Sequence, residues 1–248
     1  MRPLPSPPDR VSFSEQAYRC IREKILRGEI PLGAPLSRRQ LAVEFGMSLL
    51  PVTEALQSLE RDGLVESRPR VGTRVCLPTA EGVRDRYQVR EALESQAARL
   101  YAERVARHEM TAREMRAMEK MAERLDARFN RAASNAGDRD ALYAVHNFHL
   151  EFHTRIAELA RSRVLQEMIE KNHVLIFNWL FDVASSRPPL PAHFHRDLIA
   201  ALNAGKVEAA CRAMRKHVRF GREAVAKNLA SRAGAIRYER VKPLRAAL

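Results

Sequence analysis

The apolar positions of this chain keep a helical rhythm almost from end to end and leave it in one place, between Leu64 and Leu77. Ahead of that break, Ser14 is placed to cap a helix in which Ala17, Ile21 and Ile25 fall on one face and which stops at Gly28. Ser37 opens a second helix with Leu41, Ala42 and Phe45 at helical spacing, and Gly46 supplies a tight turn. Ser48 caps a third, in which Val52, Ala55, Leu56 and Leu59 form one stripe. Pro51 lies in its first turn, where a missing N–H matters least, and Gly63 ends it. Leu64 to Ser67 and Thr73 to Leu77 then read as two strands joined through Pro69, Arg70 and Gly72. Helix, three-residue turn, helix and hairpin predict a winged helix-turn-helix, whose second helix is shaped to enter a DNA major groove.

Strand signals disappear after a short linker at Pro78 and Thr79. The pattern then predicts six helices, near 81–107, 110–131, 139–160, 163–184, 191–204 and 206–229, with breaks at 134–137, 185–189 and Gly205. The fold class is therefore mainly α. A Pro-rich, polar stretch over 1–11 is expected to be disordered, the winged helix-turn-helix to occupy 12–79, a helical bundle 80–230, and a basic tail 231–248.

A composition of 46% apolar and 6% aromatic residues suits a helix-rich globular protein and adds nothing against this division. No signal sequence opens the chain, and the longest apolar run, 174–181, is broken by Asn178, so a cytoplasmic protein with no membrane partner is expected. Cys20, Cys76 and Cys211 are too few and too scattered for a disulfide framework or a zinc knuckle. The net charge of +13 fits a nucleic-acid partner, but residues 1–80 hold 12 Lys/Arg against 9 Asp/Glu. Most of the excess thus lies outside the reading head, and Arg215 to Leu248 alone carries 10 basic and 2 acidic residues.

The order Leu36, Ser37, Arg39, Leu41, Ala42, Gly46, Ser48, Pro51, Val52, Glu54, Ala55, Leu56, Leu59, Gly63, Leu64, Val65, Gly72 and Val75 resembles the DNA-binding domain of the GntR family of bacterial transcriptional regulators. One departure is Leu32, which stands where the family usually has proline. The helical region resembles the FCD effector domain, the partner of this winged helix in a large branch of the family. Arg90 to Glu94, the Phe152-His153 pair and the run from His195 to Ala210 carry that likeness.

The family presents two arginines on its reading helix, where this chain has Leu49 and Thr53. An arginine bidentate to guanine contributes about 1–3 kcal/mol of discrimination, so a different operator is expected. Ser48, Thr53 and Gln57 remain as groove candidates, and Leu49 or Leu50 can pack on a thymine methyl. Arg39 matches a family contact position. Arg68, Arg70 and Arg74, with Gly72 at the tip of the hairpin, are candidates for phosphate or minor-groove contacts, or are solvated surface charges.

His149 and His153 lie four apart on one helix, with His195 and His217 on two later ones. In the FCD domain an Asp and a His at that spacing, then two histidines on the last two helices, are metal ligands. The resemblance puts His153, His195 and His217 on the three histidine positions and His149 on that of the aspartate. Imidazoles suit a divalent transition metal, Zn or Ni first, and losing the aspartate keeps more positive charge on the ion. A small carboxylate effector is the expected consequence. His146, one turn before His149, is a possible substitute or effector contact, and Asn172, His173 and Trp179 are further candidates for the cavity wall. Arg90 has two readings, facing an effector or pairing with Glu94.

These features together predict a DNA-binding regulator, a homodimer on a palindromic double-stranded operator, controlled by an acid bound at a metal site. The alternatives are a metal-dependent enzyme, against which stands the lack of a placed carboxylate base, and a DNA-binding protein with no effector.

Overall fold

The computed structural model describes residues 11–134, 138–181 and 190–233, without the side chains of 174–181 and 227–233. The expectations for residues 1–10, for the tail from 234 onward and for the side chain of Trp179 lie outside them.

The reading head begins with α1, Phe13–Leu26. Its N-cap is Ser12 and not Ser14 as the sequence suggested: Ser12 has an extended backbone and its hydroxyl accepts from the Glu15 amide at 3.1 Å. Helix α2, Arg38–Phe45, is capped by Ser37 and ends on Gly46 at φ 62°. Helix α3, Leu49–Arg61, follows at once. Ser48 holds its N-cap position but makes no capping hydrogen bond. Pro51, three residues on, removes one of the two amides that such a cap uses, and the hydroxyl does not engage the other, that of Leu50.

The wing has one more strand than the periodicity predicted. Strands β2, Val65–Arg68, and β3, Gly72–Val75, form the hairpin, and β1, Pro35–Leu36, pairs antiparallel on the other side of β3. Two residues are too few to show an alternating pattern, so β1 was invisible in the sequence. Ile21, Ile25, Val52, Leu56, Leu59, Leu64 and Val75 close the core beneath this sheet.

The rest of the described chain is helical: α4 Ala80–Ala106, α5 Ala112–Ala133, α6 Arg139–Leu159, α7 Arg163–Phe181, α8 Phe194–Asn203 and α9 Val207–Ala233. Tyr101, Met118, Leu125, Phe152, Ile156, Ile199 and Met214 fill the bundle, in which α4 packs most extensively on α9. Helix α8 starts three residues later than expected. The Pro191 carbonyl accepts from Phe194 in a turn, and the helix begins where Asp126 of α5 supplies partners for its first amides. Among the described residues no helix is long and apolar enough to cross a membrane.

The two halves meet at the start of α6. Arg27 pairs with Asp140 at 2.8 Å and its guanidinium sits 4.4 Å from the Tyr143 ring, while Arg139 donates to the Gly28 carbonyl at 2.9 Å. Tyr143 packs against the core of the reading head, and Leu32 packs against both cores.

Candidate metal centre and reading head

Helix α6 carries Tyr143 at one end and presents His146, His149 and His153 on the following turns. Spacing of three and four residues stacks these rings on one face, which the helix turns inward. His153 Nε2 lies 2.9 Å from His149 Nε2 and 3.2 Å from His217 Nε2 of α9, and the ligand nitrogens of this trio lie within 4.8 Å of one another. Burial pushes all three imidazoles below their ordinary pKa, His153 to about 3, against the opposing pull of Glu94 on His153 and His217. The three rings thus bring their nitrogens together in the form that a metal ion needs, with Arg90 Nη2 also 3.3 Å from His153 Nε2.

His195 joins them from α8, its ring 5.1 Å from those of both His149 and His217. Its Nδ1–H donates to Asp126 Oδ1 at 2.6 Å, which fixes the tautomer and leaves Nε2 as an acceptor. That Nε2 is buried and has no hydrogen-bond partner. An orphaned acceptor beside three further imidazoles is a poor arrangement for a closed core and a good one for a cation. The donor set therefore fits a borderline-soft divalent ion.

Glu94 of α4 stands behind the cluster. Its Oε1 accepts from Arg90 Nε at 2.6 Å and lies 2.5 Å from His173 Nε2, while Oε2 lies 2.8 Å from His153 Nδ1. Burial alone would raise its pKa, but Arg90, His153 and His173 hold it well below the carboxylate range. The two readings of Arg90 were not exclusive: it is paired with Glu94, reaches to 3.3 Å from His153 Nε2, and still lines the cavity beside the histidines. That cavity, about 50 Å³, is bounded by Tyr87, Arg90 and Phe129, by Phe194 and Phe220, and by His149, His195, His217 and Gly221.

Two expected effector contacts sit elsewhere. His146 is buried edge-on against Phe129, 5.9 Å between rings, behind the cavity wall. Asn172 faces the cleft between reading head and bundle and donates to the Arg86 carbonyl at 3.3 Å. A helical step of one residue turns it about 100° from His173, which is the side that meets Glu94. Sequence reasoning missed Asp126 altogether, although its signal was present: it falls in the buried stripe of α5 with Met118, Ala122 and Leu125. Glu151 and Glu158, the acids nearest the histidines along α6, are exposed, so neither is placed as a base beside them.

On the reading head α3 buries Val52, Ala55, Leu56 and Leu59 and leaves Leu49 and Leu50 half or more exposed. Ser48 and Gln57 are exposed, and Thr53 Oγ1 donates back to the Leu49 carbonyl at 2.8 Å, which leaves its oxygen as an acceptor. Arg39, Arg68 and Arg70 line one shallow recess between the start of α2 and the wing, together with Gly72 and with Arg38, which the sequence reading did not single out. Arg74 is half-buried and donates to Glu66 at 2.5 Å, an interaction that lowers the Glu66 pKa and ties this arginine into the sheet.

The family model described as bacterial regulatory proteins, gntR family, matches residues 13–75, and that of the FCD domain matches residues 85–220. A probable D-xylose utilization operon transcriptional repressor of Paenarthrobacter nicotinovorans is 32% identical over 84% of this chain and 87% of its own. The transcriptional repressor RspR of Escherichia coli is 26% identical over 86% of this chain and 88% of its own. Among solved structures, McbR/YncC of Escherichia coli superposes with a TM-score of 0.68 at 22% identity, covering 88% of this chain and 99% of that one, a likeness of fold.

Proposed function

Since this chain belongs to the gntR family of bacterial regulatory proteins and carries an FCD domain behind its reading head, we propose that it is a transcriptional repressor released or engaged by a small organic acid. It is a DNA-binding regulator and not an enzyme, as are its relatives.

The observation that carries the effector reading is the buried, unpartnered Nε2 of His195 beside the convergent nitrogens of His149, His153 and His217. These four side chains would hold a divalent transition ion, zinc or nickel. Such an ion supplies an open position for one carboxylate oxygen. The charges around the site favour that ligand: a divalent ion and Arg90 outweigh Glu94 and Asp126 by one unit, in a cavity walled by phenyl rings.

A single winged helix reads half a site, so the working species is a homodimer on a palindrome, in the bacterial cytoplasm where the DNA is. Leu49, Thr53 and Gln57 read the groove, while Arg38, Arg39, Arg68 and Arg70 hold phosphates. Metal analysis of protein purified without a polyhistidine tag, beside His195→Ala, tests the site. Mobility shifts on DNA selected from a random library, with and without chelator, test the control. Protein without metal, or shifts indifferent to chelator, would remove the effector half of the proposal.

A further inference from the structure

A cleft of about 800 Å³ lies between the reading head and the bundle, walled by α1 and the end of α3 on one side and by α4 and α7 on the other. None of the residues given to DNA or to the ion lines it. Its charges do not balance. Arg19 is paired with Glu15 at 2.6 Å and Glu167 with Arg163 at 3.0 Å, which removes one cation and two acids from the count. Arg22, Arg86 and Lys171 make no ion pair and no side-chain hydrogen bond among the described residues, and Arg61 donates only to the Ser58 hydroxyl, at 2.8 Å. Against these four cations stand Glu170 and Asp62, the second of which accepts from the Tyr18 hydroxyl at 2.6 Å.

Arg22 and Arg86 decide what the surplus is for. Both are half-buried, one on α1 of the reading head and the other on α4 of the bundle. A guanidinium that loses part of its hydration and gains no acceptor is costly, and two of them across one cleft repel each other. An anion held between them relieves both. Phosphate suits the place better than carboxylate, because its terminal oxygens can accept from two planar forks at once, and a dianion matches the surplus of two charges. Phosphate alone would leave most of the space empty. The rest of the wall is Val89, Leu93 and Met168 with the acceptors Asp62 and Glu170, so the remainder of the ligand has an apolar face and hydrogen-bond donors.

We infer that this cleft binds a small organic phosphate monoester, and that the ester, held by Arg22 and Arg86 together, fixes the reading head against the bundle. The site is separate from the histidine cavity and needs no metal. A ligand that touches both halves favours the arrangement in which both can touch it, so the ester is a second input to operator affinity.

The test is calorimetric titration of the full-length protein, as purified and after chelation and dialysis, with glucose 6-phosphate, AMP, glucose, adenosine and inorganic phosphate. Both preparations should bind an ester about tenfold or more tighter than inorganic phosphate, and should not bind glucose or adenosine. Which ester binds tighter tells a sugar phosphate from a nucleotide. Arg22→Gln and Arg86→Gln should each weaken the ester about tenfold or more, the loss of a hydrogen bond between charged groups, with the melting temperature kept. Arg19→Gln, whose native partner is Glu15, should leave the affinity within about a factor of two. No ester bound, inorganic phosphate bound as tightly, binding lost with the metal, or an affinity indifferent to Arg22→Gln and Arg86→Gln overturns the site. Esters that bind but do not change mobility shifts on the selected operator overturn the bridging role. Metal analysis decides the histidine site separately, so either reading can fail while the other stands.

Discussion

His195 Nδ1 and Asp126 Oδ1 are 2.6 Å apart, and the same carboxylate accepts the backbone amides of His195 and Arg196 at 3.1 and 3.2 Å. One side chain of α5 thus caps α8 and sets the tautomer of a candidate ligand. Fixing the outer nitrogen is what aims the inner one, so the two roles serve the same site. Asp126→Asn should lower zinc affinity about 10–100-fold, read by competition with a chromophoric chelator. An unchanged affinity would assign Asp126 to helix capping alone.

Acid should unfold the metal-free protein early. His149, His153, His173, His195 and His217 all have folded pKa values lowered by burial, and Glu94 is also held below its ordinary range. For each of these groups the unfolded chain binds the proton more readily, so stability is full above the unfolded value and falls as pH drops through it. The histidines act from about pH 6.5 downward and Glu94 from about 4.3. Melting temperatures of chelator-treated protein should be level from pH 8 to 7 and decline steeply below 6.5. Bound zinc should flatten that decline, because metal and proton compete for the same nitrogens. A melting temperature independent of pH between 7 and 5 would contradict the buried, neutral cluster.

How much of this was legible beforehand follows from where each signal lies. The winged helix was readable because its elements carry local punctuation: Ser37, Gly46, Gly63 and two apolar stripes. His149 and His153 were readable because spacing on a helix decides which rings share a face, while His195 and His217 entered through the resemblance to the FCD domain. What escaped is long-range. Asp126 and His195 are 69 residues apart, and Glu94 and His173 are 79, so no local pattern links them. The failed Ser48 cap is an instructive middle case. The hydroxyl and Pro51 were both in view, and counting amides shows that the proline removes one of the two that a cap at Ser48 could use.

The link between site and reading head should run through the start of α6. Tyr143 packs against the reading-head core and stacks under Arg27, and His146 follows it on the same helix less than one turn later. A helix is stiff over that distance, so a displacement at the histidines reaches Tyr143. Tyr143→Ala should leave metal content unchanged while the ratio of operator affinities with and without zinc moves toward one, read by parallel mobility shifts. A ratio equal to that of the native protein would place the coupling elsewhere, with Leu32 the next candidate because it touches both cores.

The reading helix offers the sharpest test of specificity. Leu49 is half exposed and the Thr53 hydroxyl is tied back to the Leu49 carbonyl, so the positions where related regulators place arginines present a methyl-bearing surface and an acceptor. Such a surface suits a thymine methyl and a base amine more than guanine. Replacing both, Leu49→Arg with Thr53→Arg, should shift the sequences recovered from a random DNA library toward guanine-bearing half-sites. The affinity for those sites should rise by about 1–3 kcal/mol for each bidentate contact formed. Arg70→Ala, at the wing tip, should instead weaken all sequences alike and reduce the slope of log affinity against log salt by about one. Recovery of the same guanine-bearing palindrome by the native protein would mean that bases are read by groups other than Leu49 and Thr53. The exposed recess of Arg38, Arg39, Arg68 and Arg70 would then be the place to look, since a phosphate anchor moved by one base step re-registers the whole reading helix.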